Sequence, residues 1–210
     1  MNVKLMAATP QAEEHIVEVA RVSSKREDKR GNPEGLLNYL IKHRHWSPFE
    51  HSFMTVEIET SKAIGIQLIR HRSFTFQEFS QRYQDVNLLK DIFEPIEFRK
   101  QAEDNRQSST TTFDSETNEF MQNMVKMHFD SASELYSALI ESGVARETAR
   151  FVLPLATKTK IHMTGSIRSW IHFFDLRDDS HAQKEIQEVA QAVKAIFKEQ
   201  FPIISNALNY

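Results

Sequence analysis

Apolar and polar residues alternate strictly from Ser52 to Thr60. Met54, Val56 and Ile58 fall on one side, and Phe53, Thr55, Glu57 and Glu59 on the other, which predicts a half-buried strand. Lys158–Met163 alternates in the same way, and Asn2–Ala8 is long enough for a short strand. Helical spacing governs Ser61–Ile69, where Ala63, Ile64, Gln67 and Leu68 share a face. It also governs Ser115–Ser142 through Met121, Met124, Val125, Ala132, Leu135, Tyr136 and Leu139, a methionine-bearing stripe of the kind that fills cores. Gly143 stands where that helix needs its C-terminal cap. A helix over Ile167–Phe174 packs through Trp170, Phe173 and Phe174, with Ser166 as its N-cap. Ser180 and Gln183 form a capping box ahead of a last helix with Ile186, Val189, Ala190, Val193 and Phe197 on one face. Nearer the start, Thr9-Pro10 opens a helix that buries Ile16, Val17, Val19, Ala20 and Val22. Asn32-Pro33-Glu34 opens another, with Leu36, Leu37, Leu40 and Ile41 inward. Between these elements, Ser24–Gly31 is a charged mobile loop and Leu88–Ile92 a turn of helix. Pro95–Arg106 has no clean period, and Gln107–Thr112 is a polar loop. The pattern as a whole predicts an α+β fold, a mixed or antiparallel sheet flanked by long helices, in a single domain over 1–210.

Composition narrows the function. The 210 residues carry a net charge of -3, which argues against a nucleic-acid binder while leaving room for a local anion pocket. Fifteen phenylalanines against five glycines suggest a filled core, or a core plus a subunit interface. With no cysteine, disulfides, thiolate metal sites and thiol nucleophiles are excluded. No apolar run approaches a membrane span and no signal-peptide pattern opens the chain, so the expected location is cytoplasmic.

The densest candidate chemistry lies in Arg70-His71-Arg72-Ser73-Phe74-Thr75-Phe76-Gln77-Glu78-Phe79-Ser80-Gln81-Arg82-Tyr83. Three cations in a row at a helix end fan out towards different partners. If the chain then runs extended, Glu78, Ser80 and Arg82 point the same way and form a wall suited to a phosphorylated, hydrogen-bonding ligand. The plain alternative is a cationic helix end followed by a solvated edge strand. His43, His45, Glu50 and His51 have the side chains of a metal site. No second ligand cluster has a standard spacing, so the segment reads as a polar turn and no metal is expected. Arg168 and His172 are four apart on one helix face, and Arg177 lies one turn beyond it with Asp178 or Asp179 as ordinary partners. Gln107–Thr112 is either a surface segment or a lid whose neighbours Arg99, Arg106 and Gln107 meet a ligand.

The signature resembles the Arg-His-Arg-x-x-Ser-x-Asn-Glu-x-Ser-x-Arg-Tyr pattern of the flavin-dependent thymidylate synthases, with Thr75 for Ser and Gln77 for Asn. Other segments resemble the same family in the same order. These are Ala20-Arg21-Val22-Ser23, His45-Trp46-Ser47-Pro48-Phe49-Glu50-His51, Arg146–Leu155, and Leu176-Arg177 followed by His181-Ala182-Gln183. Ser166 stands where the family has Asn. The resemblance implies reductive methylation of dUMP, with methylenetetrahydrofolate as one-carbon donor and NADPH as reductant through FAD. It implies dUMP contacts from Gln67, Arg70, Glu78, Ser80, Arg82, Arg150 and Arg177, with Arg177 the catalytic residue at the uracil ring. FAD contacts are implied for His45, Ser47, Arg70, His71, Arg72, Glu78, Ser166, Arg168 and His172. It further implies a homotetramer with shared active sites and no nucleic-acid or membrane partner. Without cysteine no thiolate adds to uracil C6, and a flavin route does not need one. Two other classes fit the residues alone: a non-redox nucleotide or RNA binder using the same cationic wall, and a metal hydrolase built on His43, His45 and His51.

Overall fold

The computed structural model describes residues 1–22, 33–89 and 91–210. Ser23, the charged stretch Ser24–Gly31 and Asn32 lie outside the described residues. In chain order the elements are β1 (Asn2–Ala8), α1 (Ala12–Ala20), α2 (Pro33–Lys42), β2 (Phe53–Ser61), α3 (Lys62–Leu68), β3 (Thr75–Glu78), β4 (Arg99–Gln101) and β5 (Ser109–Thr112). There follow α4 (Ser115–Glu141), α5 (Arg146–Ala149), β6 (Lys158–Ser166), α6 (Ile167–Arg177), α7 (Lys184–Gln200) and α8 (Pro202–Ala207). A four-stranded sheet has the order β1-β2-β6-β3, and β4 pairs with β5 in a separate antiparallel ribbon. The α+β class predicted from periodicity holds. Among the described residues, no helix is long and apolar enough to cross a membrane.

The chain divides into two compact units that interleave along the sequence. The first comprises Met1, Glu59–Leu68 and Glu78–Ile161; the second comprises Asn2–Ile58, Ile69–Gln77 and His162–Tyr210. In the first, Val86, Tyr136 and Ala149 form a small core closed over by Leu89, Ile92, Leu139, Ile140 and Val144. The Tyr136 hydroxyl accepts from the Val86 amide at 3.3 Å, so the one polar atom brought into that core is satisfied. Only Ala132 and Tyr136 of the 27-residue α4 are buried. Of the stripe read as core, Met121, Val125 and Leu139 are half-buried beside those two, while Met124 and Leu135 are exposed, as are Phe120 and Met127 outside the stripe. Spacing fixes which side chains share a helix face, but not whether anything covers that face. Gly143 caps α4 as expected, with φ 82°. The polar loop read over 107–112 is strand over its last four residues, since Ser109–Thr112 pairs with Arg99–Gln101. The ribbon's Ser/Thr side chains are exposed, so burial left no apolar alternation to mark it. The helical turn near Leu88 is a 3-10 turn over Val86–Leu88.

The second unit has the aromatic core. Trp170, Phe173, Phe174, Phe197 and Phe201 are buried together with Met54, Val56 and Ile58 of β2. The Trp170 indole donates to the Met54 carbonyl at 3.0 Å, tying α6 to the sheet. Ile186, Val189, Ala190, Val193 and Phe197 are all buried, so the face predicted for α7 is the real one. Its predicted capping box is absent. Asp179 accepts from the His181 amide and closes a turn around Ser180, and Gln183 precedes the helix without a side-chain cap. At the other end of the chain, α1 starts at Ala12 and not at Pro10. The Thr9 hydroxyl accepts from the Phe53 amide at 2.9 Å and is not available as a cap. Ile16 and Val17 are buried, Val19 and Ala20 half-buried, and Val22 exposed. Ala12 and Glu13 complete the buried face, and the Glu13 carboxylate accepts from the Ile204 amide at the start of α8 at 2.8 Å.

One close approach fixes the join between β6 and α6. A Cβ on Gly165 would lie 2.4 Å from two ring carbons of Phe74, so only glycine fits. We expect Gly165→Ala to lower the free energy of unfolding by about 1–3 kcal/mol through overpacking. Gly35, in α2, has nothing within 4 Å of an added methyl group. Gly35→Ala should therefore raise stability by up to about 1 kcal/mol. Urea melts of both variants check the pair, and equal effects would remove Phe74 as the cause.

Candidate active site

α6 organises the candidate site within the second unit. The Ser166 hydroxyl accepts from the Ser169 amide at 3.2 Å, which caps the helix and holds Ser166 in a buried position. The Ser169 hydroxyl in turn donates to the Ser73 carbonyl at 3.3 Å, fastening the signature turn to the first turn of the helix. With Ile167, Trp170, Ile171, Phe173 and Phe174 buried, the opposite face presents Arg168, His172 and Asp175 at i, i+4 and i+7. These three line a cavity of about 400 Å³ together with Trp46, Glu50 and Ser73. The Arg168 guanidinium is paired there with the Glu50 carboxylate. The cavity thus offers an indole wall, an imidazole, a guanidinium already neutralised by an acid, and a second carboxylate.

His45 and Ser47 flank Trp46 in the segment that supplies this wall, and both side chains are exposed. His43 and His45 cluster with Tyr39, the His43 ring 4.3 Å and the His45 ring 5.9 Å from the phenol. Among the described residues, no group of three His, Asp or Glu is placed to hold a metal ion.

The predicted fan of Arg70, His71 and Arg72 is present, in a turn just beyond α3 and not on its last turn. Arg70 and Arg72 are exposed, whereas His71 is buried. The His71 ring packs edge-on against Phe173, with centroids 5.0 Å apart, and against Phe74 at 6.3 Å. Its Nε2 accepts from the Nε of Arg177 at 2.9 Å. Burial, together with the Arg177 guanidinium and the nearby His172, lowers the His71 pKa from 6.5 to about 4. Arg177 was expected one turn beyond the Arg168–His172 face. Because α6 runs on to Arg177, that residue lies roughly 140° round the helix from His172 at about 100° per residue, and meets His71 instead. Neither expected acid partner takes it: Asp178 pairs with Lys194 at 2.8 Å, and Asp179 with His181 at 2.7 Å.

The remaining predicted residues belong to the first unit, apart from those already placed. Gln67 is half-buried on α3. The Glu78 carboxylate accepts from Lys62 Nζ and from the Thr159 hydroxyl, each at 2.8 Å. The extended wall of Glu78, Ser80 and Arg82 does not form, because β3 ends at Glu78. The Ser80 carbonyl accepts from the Tyr83 and Gln84 amides in a tight turn. Arg82 Nη2 pairs with Glu147 at 3.3 Å, and Arg150 Nε donates to the Glu147 carbonyl at 3.3 Å, so one residue gathers both arginines. Arg99 donates to the Ser109 hydroxyl within the β4–β5 ribbon, and Arg106 and Gln107 lie in the connection between those strands. Sequence reasoning missed Trp46, Ser73 and Asp175 as cavity residues and Lys62, Thr159 and Glu147 as partners. Only Asp175 carried a local signal, its helical spacing from Arg168 and His172.

Comparison with known proteins gives the family. Residues 4–203 match the Thy1 family model, described as thymidylate synthase complementing protein. The chain is 41% identical, over the whole of both chains, to a probable flavin-dependent thymidylate synthase of Paramecium bursaria Chlorella virus 1. It is 42% identical to a flavin-dependent thymidylate synthase of Synechocystis sp., over 93% of this chain and 88% of that one. A crystal structure of the UMP/dUMP methylase PolB from Streptomyces cacaoi, bound with 5-Br dUMP, superposes with a TM-score of 0.85 at 29% identity. It covers 99% of this chain and 94% of that chain. On the extent of these matches, the chain belongs to the Thy1 family, the flavin-dependent thymidylate synthases.

Proposed function

We propose that the protein is a cytoplasmic enzyme that converts dUMP to dTMP, taking its one-carbon unit from methylenetetrahydrofolate and its reducing equivalents from NADPH through FAD. The observation that carries this reading is the free fork of Arg177. Its Nε is held by His71, and no carboxylate among the described residues pairs with its terminal nitrogens. A guanidinium in that state can donate to a uracil carbonyl, and also to N3 once that nitrogen has given up its proton. It would stabilise the anionic, enolate-like ring that attack from C5 requires.

Other residues divide the remaining work. Arg82 and Arg150, gathered at Glu147, supply cations for the dUMP phosphate, with the exposed Ser80 hydroxyl as a further donor. Arg70 adds an exposed cation, and Gln67 and Glu78 supply hydrogen-bonding side chains for the same substrate. The cavity on α6 suits a flavin in the chemistry of its lining: Trp46 offers a flat apolar wall, while Arg168 and His172 offer donors for a polar ring edge or a pyrophosphate. His45, Ser47, Arg70, Arg72, Glu78 and the Ser166 cap belong to the same cofactor assignment, whereas the ring of His71, expected there too, packs on Phe173 and is taken by Arg177. When bound, FAD supplies the hydride-transfer chemistry, which the protein's own side chains cannot. Arg168 is available to it only as Glu50 gives the guanidinium up. The exposed Phe120, Met124, Met127 and Leu135 of α4 support assembly into a homotetramer, where substrate and cofactor contacts need not come from one copy.

The purified protein should show, or take up, a flavin absorbance spectrum, and dUMP turnover should stop when any of FAD, NADPH or methylenetetrahydrofolate is omitted. A colourless protein that cannot be reconstituted, or one that binds polynucleotides with steep salt dependence, would overturn the assignment. Arg177→Ala should lower turnover by about 10²–10³-fold while leaving flavin binding intact. Steady-state kinetics with a flavin titration check this. Arg82→Ala should weaken dUMP binding by about ten- to a hundredfold, with FAD binding changed far less, as measured by parallel titrations.

A further inference from the structure

We propose that His71 is a positioning residue for Arg177: its ring, accepting from Nε, sets the plane in which the guanidinium presents its two terminal nitrogens to the substrate. The inference rests on the uracil-binding role proposed for Arg177 and adds a second residue to it. An imidazole can accept at Nε2 only when that nitrogen carries no proton, so the ring must be the neutral Nδ1–H tautomer. The contact is 2.9 Å and joins residues 106 positions apart.

A histidine in this place does what an acid would not. A carboxylate would also hold the guanidinium, but would cancel much of the charge needed by a developing uracil anion. A neutral ring fixes the geometry through one donor and leaves the charge and four terminal N–H groups unspent. The surroundings keep the ring neutral. Phe74 and Phe173 pack edge-on against it, and the charged or titratable groups bearing on it, Arg177 and His172, both stand on α6 and oppose a further positive charge. Because the folded-state pKa is depressed, the unfolded chain takes up a proton first as the pH falls. His71 therefore favours the fold fully above about pH 6.5, and that contribution is lost as the pH falls towards about 4.

The test combines substitutions with a spectroscopic readout on the whole protein. His71→Leu removes the acceptor and keeps an apolar volume. Its kcat should fall about ten- to a hundredfold, with FAD affinity changed by less than about threefold. His71→Gln restores an acceptor oxygen and should bring kcat back to within about fivefold of the native value. In an Arg177→Ala background, His71→Leu should cost nothing further. Native kcat in His71→Leu, lost flavin binding in that variant, or an additional loss in the double variant would each overturn the proposal, the last two by showing that the ring acts elsewhere. Full activity in Arg177→Ala alone would instead defeat the uracil role itself, and the positioning role with it. Should His71→Leu fail to fold, NMR of histidine-¹⁵N-labelled native protein decides. One ring should keep an unprotonated Nε2 down to about pH 5, and in Arg177→Ala its pKa should rise and its Nδ1–H preference should be lost. If every ring titrates near its ordinary value, the proposal fails.

Discussion

The capped start of α6 is the constraint on which the described site depends. Ser166 ends β6, caps the helix with its own hydroxyl, and through Ser169 binds the Ser73 carbonyl of the signature turn. From that fixed origin the rest follows by helical geometry. Arg168, His172 and Asp175 look into the cavity, Trp170 and the phenylalanines look into the core, and Arg177 comes round to His71. The cap itself is worth about 1 kcal/mol. Its structural consequence is larger, because a helix that started one residue later would rotate each of those side chains by about 100°.

The cations differ in how they are held. Arg168 is neutralised by Glu50, Arg82 shares Glu147 with the backbone contact of Arg150, and Lys62 is tied to Glu78. Arg177 alone of these is held by a neutral side chain, while Arg150 meets a neutral backbone carbonyl. The exposed carboxylate pairs are weak enough for an anionic ligand to displace, so they suit groups that must bind and release. The Arg177–His71 pair is partly buried and lacks an acid to displace, which suits a charge held ready for a reaction. The proposed catalytic arginine thus differs in its partner from Arg82 and Arg168, the two binding arginines that are paired with acids.

Local periodicity made the fold class legible. β2 and the buried face of α7 could be read from spacing alone, because each repeats its pattern long enough to fix a face. The errors have one cause: a local pattern does not say what lies opposite. Thr9 looks like a cap until Phe53, 44 positions away, claims its hydroxyl. Met124 and Leu135 share the spacing of the α4 stripe but not its cover. In the site, family resemblance marked Arg177, His71 and Arg168, yet their partners are 106 positions away for Arg177 and 118 for Arg168, beyond any spacing argument. Asp175 was within reach, and its position at i+7 from Arg168 was the clue.

The contact between Gly165 and the Phe74 ring carries a constraint on sequence change. Within the second unit, the volume that glycine leaves empty is the volume the phenyl ring fills. Neither residue can drift alone: a larger residue at 165 evicts the ring, and a smaller one at 74 leaves a hole beside Trp170. Viable substitutions at these two positions should therefore arise as matched exchanges of bulk, with the size of one side chain dictating that of the other.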